Sequence, residues 1–235
     1  MGPAPPAGDV VTMAAPPVQL FVFDLAGTTV VDDGQVLDAF VATADLHGLR
    51  ADPNVLKARM GWHKQHVFET LLREAGVDTA PAEAMARHFE QEFAAAVARR
   101  PLRPTPGALA TLRKLDLEGV HIAFNTGFAR ATADLVLQTM GWADFPSVAS
   151  DEVPRGRPAP DLIRRAMELV GVLDPRHVGV AGDTPADLQA GTAAACAMVV
   201  GVGCGSHRLD ELAPHPHTLL LPDLTTLPAV VLHHD

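Results

Sequence analysis

Cysteine is scarce in this chain of 235 residues: Cys196 and Cys204 are too few for a disulfide scaffold. No apolar run approaches the roughly 18 residues of a membrane-spanning helix, so no membrane partner is expected. Positive charge is in deficit, with a formal net charge of −10, which argues against nucleic acid or anionic lipid as a partner. Any phosphate-bearing substrate must then be attracted by local features. Lysine is the rarer cation, with only Lys57, Lys64 and Lys114 against fifteen arginines. What is abundant is apolar: 48% of the residues are hydrophobic and 20% charged, enough for a sizeable core. The composition predicts a cytoplasmic protein acting on a small molecule.

Residues 1–17 are rich in Pro, Ala and Gly, lack periodicity and read as a disordered arm without signal-peptide character. Order is expected from Val18–Phe23, an apolar run that stops at Asp24. Similar runs recur at Val120–Phe124, Val178–Ala181 and Ala197–Val200, with weaker ones at Ser147–Ala149 and Thr218–Leu221. Short apolar runs bounded by Gly, Asp or Pro suit strands buried on both faces of a parallel sheet. Helical stretches alternate with them at Pro106–Leu117, Ala129–Met140, Pro158–Val170 and Pro185–Ala195. The expected fold is therefore α/β, a Rossmann-like parallel sheet with right-handed crossovers. Residues 34–103 break the rhythm. They hold amphipathic stretches such as His63–Ala75 and Ala82–Arg99 and no convincing strand, so they read as an all-helical domain inserted after the first strand. Residues 18–33 and 104–235 would form the α/β core. The run Gly201–Gly205 is a poor dinucleotide fingerprint, because no clear helix opens on it, and it reads as a loop.

Ligands of parallel α/β sheets bind beyond the carboxyl ends of the strands. There the chain offers Asp24-Leu25-Ala26-Gly27-Thr28-Thr29, Asn125-Thr126-Gly127, Gly156-Arg157-Pro158 and Gly182-Asp183-Thr184-Pro185-Ala186-Asp187. Each alone is an ordinary turn composition. Together they gather carboxylates, a hydroxyl, a cation and glycine turns at one edge, the parts needed for phosphoryl transfer.

These four segments, in this order, resemble the haloacid dehalogenase superfamily, and the helical insertion resembles its small cap domain. In most phosphatases of that superfamily a second Asp follows the nucleophile by two residues and serves as general acid and base. Here that position is Ala26. Asp-x-Ala-Gly-Thr-Thr is similar to the phosphonatase (phosphonoacetaldehyde hydrolase) branch, where a cap lysine in Met-Gly-x-x-Lys forms an imine that turns the carbon chain into an electron sink. This chain has Met60-Gly61-Trp62-His63-Lys64. An arginine cannot form an imine, so a lysine here, in an arginine-rich chain, stands out against the reading of a solvated surface residue.

The resemblance implies Asp24 as nucleophile and Lys64 as imine former. It implies Mg²⁺ held by the Asp24 carboxylate, the Ala26 carbonyl and Asp183, with Asp187 and Thr184 behind them. Thr126, Gly127 and Arg157 would hold the phosphoryl group and Met60 would pack beside the lysine, although an ion-pairing role for Arg157 stays open. The chain departs from the branch at Leu25, where Trp is common, and at Val67, where a histidine is expected; His63 and His66 are nearby. Other readings are a phosphatase acting on a small ester and a non-catalytic phosphate-binding scaffold. A homodimer through the cap is expected by resemblance. His215, His217, His233 and His234 read as solvated residues and the cysteines as buried and reduced, with pairing left open.

Overall fold

The computed structural model describes residues 18–232; the expected arm at 1–17 and the His233–His234 pair lie outside them. The first strand, β1 (Leu20–Asp24), is buried throughout. Five helices follow before the next strand, beginning with α1 (Gln35–Leu46), α2 (Pro53–Lys57), α3 (Lys64–Glu74) and α4 (Ala82–Arg99). The chain then alternates: α5 (Ala108–Leu117), β2 (His121–Asn125), α6 (Arg130–Met140), β3 (Ser147–Val148), α7 (Asp161–Val170), β4 (Val178–Gly182), α8 (Pro185–Ala193) and β5 (Met198–Val202). It closes with α9 (Leu209–Leu212), β6 (Leu219–Leu221) and α10 (Leu227–Leu232). The strands form one parallel sheet in the order β3-β2-β1-β4-β5-β6, a Rossmann-like arrangement whose strand order reverses beside β1.

Side chains alternate across a strand, and β1 shows what that does. Phe21 and Phe23 pack with Leu112, Val136 and Leu227 on one face, whereas Leu20 and Val22 join Leu162, Ile163 and Leu188 on the other. The helices between β1 and β2 extend the first of these cores. Phe40 of α1 meets Phe89 of α4 with ring centroids 4.6 Å apart, and Phe93 meets Phe128, just past β2, at 4.8 Å. Among the described residues no helix is long and apolar enough to cross a membrane.

Element ends differ from the sequence reading where pairing or backbone handedness decides. Gly201 and Val202 belong to β5, because Gly201 is paired with Gly182 on one side and Leu220 on the other. Only the remainder of the Gly-rich run is loop. Helix α5 starts at Ala108, since Gly107 before it has φ +79°, and α8 stops at Ala193, just before the left-handed Ala195. Both cysteines are half-buried free thiols, pushed up to about 12 (Cys196) and about 11 (Cys204) by burial.

Candidate active site

The carboxyl edge of the sheet collects the sequence-predicted residues around β1. Asp24, its last residue, is 5% exposed, and Asp183 follows β4 on the other side of the reversal point. Asp187, in the first turn of α8, brings a third carboxylate, and oxygens of all three lie within 4.8 Å of one another. Asp183 is held from three directions. The backbone N–H and hydroxyl of Ser206 each donate to its Oδ2 at 2.7 Å, and Thr28 donates to Oδ1 at 3.2 Å. Gly27 admits that carboxylate: it has φ +89°, and a Cβ there would stand 2.3 Å from Asp183 Oδ2. Asp187 is committed on both oxygens, one to the hydroxyl and N–H of Thr184 in a reciprocal helix cap and the other to Arg157.

Arg157, 3% exposed, crosses this cluster. Its Nη2 donates to Asp24 Oδ1 at 2.7 Å and to Asn125 O and Oδ1 at 2.8 and 2.7 Å, while Nη1 lies 2.6 Å from Asp187 Oδ1. The ion-pairing alternative for this residue is thus realised, and its buried Nε still has no hydrogen-bond partner among the described residues. Three buried carboxylates face this one guanidinium. Burial raises the pKa of Asp24 and of Asp183 above the ordinary carboxylate range; Arg157 pulls Asp24 back, and the neighbouring carboxylates push both up. A site with that excess of hard anionic oxygen could hold a metal ion.

Lys64 opens α3 and is 6% exposed, with Nζ 5.3, 5.4 and 5.0 Å from the ring centroids of Phe40, Phe89 and Phe128. Its ammonium donates a hydrogen bond to Trp62 O at 3.3 Å. Burial brings its pKa down from 10.5 to about 8, against the pull of Asp24 and with a further push from Arg157. Lys64 and Asp24 share a cavity of about 20 Å³, lined also by Ala26, Asp32, Met60, Thr126, Gly127 and Phe128. That is room for about one water. Its roof is tight: a Cβ on Gly127 would meet Gly61 O at 2.5 Å and Trp62 O at 2.7 Å. Outside this seam a cleft of about 320 Å³ runs past His63, His66, Arg155 and Gly156.

Residues 18–195 match the haloacid dehalogenase-like hydrolases. The chain belongs to that family. The phosphonoacetaldehyde hydrolase of Bacteroides fragilis is 31% identical over 225 residues, covering 88% of this chain and 84% of that protein. Hexitol phosphatase A of Escherichia coli is 31% identical over 201 residues, covering 85% and 90%. Among solved structures, a hydrolase from Pseudomonas syringae superimposes with a TM-score of 0.83 at 23% identity, covering 92% of this chain and all of that one.

In this haloacid dehalogenase-like hydrolase the structure brings Asp24, Ala26, Met60, Lys64, Thr126, Gly127 and Thr184 to one cavity, with Asp183, Asp187 and Arg157 directly behind it. Val67 is fully buried in the apolar core and does not line that cavity. His63 sits half-buried on the outer cleft, its pKa lowered by burial and by the charge of Lys64, and His66 stacks on Trp62. Sequence reasoning passed over Asp32, Ser206, Asn125 and the three phenylalanines around Lys64. Asn125 stood inside a segment already singled out and Ser206 directly follows the Gly201–Gly205 run, whereas nothing local marks the phenylalanines, which come from α1, α4 and the turn after β2.

Proposed function

We propose that this hydrolase cleaves the carbon–phosphorus bond of phosphonoacetaldehyde or a close aldehyde phosphonate, as the name of its Bacteroides relative suggests. The observation that carries the reading is Lys64: a buried amine, half ringed by aromatic faces, in the same one-water cavity as the Asp24 carboxylate. At a pKa of about 8, about a tenth of such an amine is neutral at pH 7, against roughly three in ten thousand for an ordinary lysine. Only the neutral amine attacks a carbonyl.

The chemistry then balances on this chain's own groups. Lys64 Nζ adds to the aldehyde and, with loss of water, becomes an iminium. An Asp24 oxygen attacks phosphorus; the C–P electron pair moves into the carbon chain, giving an enamine on Lys64 and an aspartyl-phosphate on Asp24. One water releases acetaldehyde and regenerates the amine, and another releases phosphate. Ala26 fits this route, because a carbon leaving group gains nothing from an oxygen-protonating acid at that position. Thr126, the Gly127 backbone and the free Nε of Arg157 are the donors for phosphoryl oxygens, and Met60 packs beside the amine. Mg²⁺ fits the carboxylate set, held by Asp24, the Ala26 carbonyl and Asp183 with Asp187 and Thr184 behind; bound there, it would offset the crowded negative charge and polarise a phosphoryl oxygen. The deciding experiment is borohydride reduction with phosphonoacetaldehyde followed by peptide mass spectrometry. A two-carbon or phosphonoethyl adduct on the Lys64 peptide is expected; an unlabelled peptide together with brisk phosphate-ester turnover would favour the phosphatase reading that the Escherichia relative suggests.

Two further expectations arise here. Folded-state pKa values of Asp24 and Asp183 lie above their unfolded ones, so protonation favours folding at this cluster. That contribution fades as pH rises from about 4 through the raised folded values. Mg²⁺ competes with those protons. In thermal unfolding, Mg²⁺ at about 100 times its Kd should add about 2.7 kcal/mol at pH 8, about 5–10 °C at this chain length, and clearly less at pH 5. Equal shifts at both pH values, or a shift undiminished in Asp183→Asn, would count against the site. Gly127→Ala places a methyl group against the carbonyls of Gly61 and Trp62. It should hold the two loops apart and lower kcat/KM by about 10²-fold with little change in Tm, as misplacements of about an ångström do. Unchanged turnover would show that the seam need not close.

A further inference from the structure

The cavity beside Asp24 has room for about one water and is walled by three ionisable side chains, Asp24, Lys64 and Asp32. The proposed reaction uses the first two. Asp32 has no part in it so far, although imine formation needs a proton moved twice: off the Lys64 ammonium before attack, and onto the hydroxyl that leaves the carbinolamine. Asp24 is unsuited to the task, being held by Arg157 and already assigned the attack on phosphorus. Ala26 carries no proton. His63 opens instead on the outer cleft.

Resting on the phosphonatase reading, we propose that Asp32 is the proton-transfer residue of imine formation, exchanging protons with Lys64 and the carbinolamine in the cavity whose wall the two side chains share. The step closes without another reagent. The Asp32 carboxylate takes a proton from the Lys64 ammonium; the free amine adds to the aldehyde; the acid returns the proton to the departing hydroxyl. Iminium, water and carboxylate remain. Hydrolysis of the product iminium runs the same path backwards. The surroundings suit a group that must exist in both forms. Burial raises the pKa of Asp32, while backbone N–H groups of Val36, Gly34 and Gln35 and the charge of Lys64 draw it down. From the facing elements, Asp24, Arg157 and Asp187 act in turn on Lys64.

The plainer role of Asp32 is structural: its Oδ1 accepts the N–H of Val36 at 3.1 Å, tying the start of α1. Asp32→Asn separates the two, since an amide oxygen can keep that bond but the amide cannot carry the proton; Asp32→Ser serves if the amide disturbs the turn. The readout is the single-turnover rate of borohydride trapping with phosphonoacetaldehyde, measured from pH 5 to 9 at fixed Mg²⁺. Asp32→Asn is expected to trap on Lys64 about 10²-fold more slowly, with an altered pH profile, partial rescue by added formate and substantial recovery in Asp32→Glu. Trapping by Asp32→Asn at the wild-type rate and with the wild-type profile overturns the inference alone. Failure of the wild type to trap anything overturns it together with the reading beneath it.

Discussion

Lys64→Arg will form no borohydride adduct and will release phosphate from phosphonoacetaldehyde about 10⁴–10⁶-fold more slowly than the wild type, the range in which loss of a covalent catalyst falls. The substitution is chosen because it keeps what is structural about the position. A guanidinium can still face the rings of Phe40, Phe89 and Phe128 as a cation. It cannot give up its proton to become a nucleophile. Burial of Lys64 is what makes the contrast large, because it moves the amine to about 8 and so within reach of neutral pH. Adduct yield in the wild type should accordingly climb steeply between pH 6 and 8. Measurement of phosphate release and of adduct on the same samples checks both halves. Turnover of phosphonoacetaldehyde that survives Lys64→Arg would remove the imine from the mechanism.

Asp24→Asn is the complementary lesion. Phosphate release should fall by a similar 10⁴–10⁶-fold, yet the adduct on Lys64 should still form, now retaining the phosphonoethyl group because the C–P bond is intact. The two variants thus stop the reaction on opposite sides of imine formation, both before bond cleavage, and mass spectrometry distinguishes them by whether the peptide carries a phosphonoethyl adduct or none. The fold should tolerate the change. Asparagine is close in shape, and Arg157 keeps Asp187 and both oxygens of Asn125. Loss of the adduct in Asp24→Asn, with Tm preserved, would mean that nucleophile and amine do not act independently.

The sheet was legible because burial on both faces leaves a plain mark: Leu20–Phe23, Ile122–Phe124 and Val178–Ala181 are apolar without interruption. The edge strand Leu219–Leu221 and the two-residue β3 are marked more weakly. Strand ends were harder, since Gly201 has no strand propensity and joins β5 only through its two neighbours in the sheet. The site was readable to the extent that its residues end a strand or directly follow one, as Asp24, Thr126 and Asp183 do. Arg157 was legible as a cation at the site, but the carboxylates it pairs with were not, because that choice depends on three loops meeting. The same holds for the aromatic surroundings of Lys64. Asp32 was overlooked for a different reason: an acidic residue two positions before a glycine turn has a sufficient local explanation, and only the cavity gives it a second one.

The placement of β1 at the middle of the sheet has a consequence for how the chain reaches its fold. Leu20 pairs with His121 on one side and with Val178 on the other, so β1, synthesised before both its neighbours, has no partner until much of the chain exists. At about 5–20 residues per second, Leu-Phe-Val-Phe stays unpaired for several seconds as the nascent chain lengthens. During that interval α1, α3 and α4 can already pack on one another, because their mutual contacts need nothing that comes later. The helical segment is then a natural early folding unit, and sheet assembly the slow step that long-range pairing imposes.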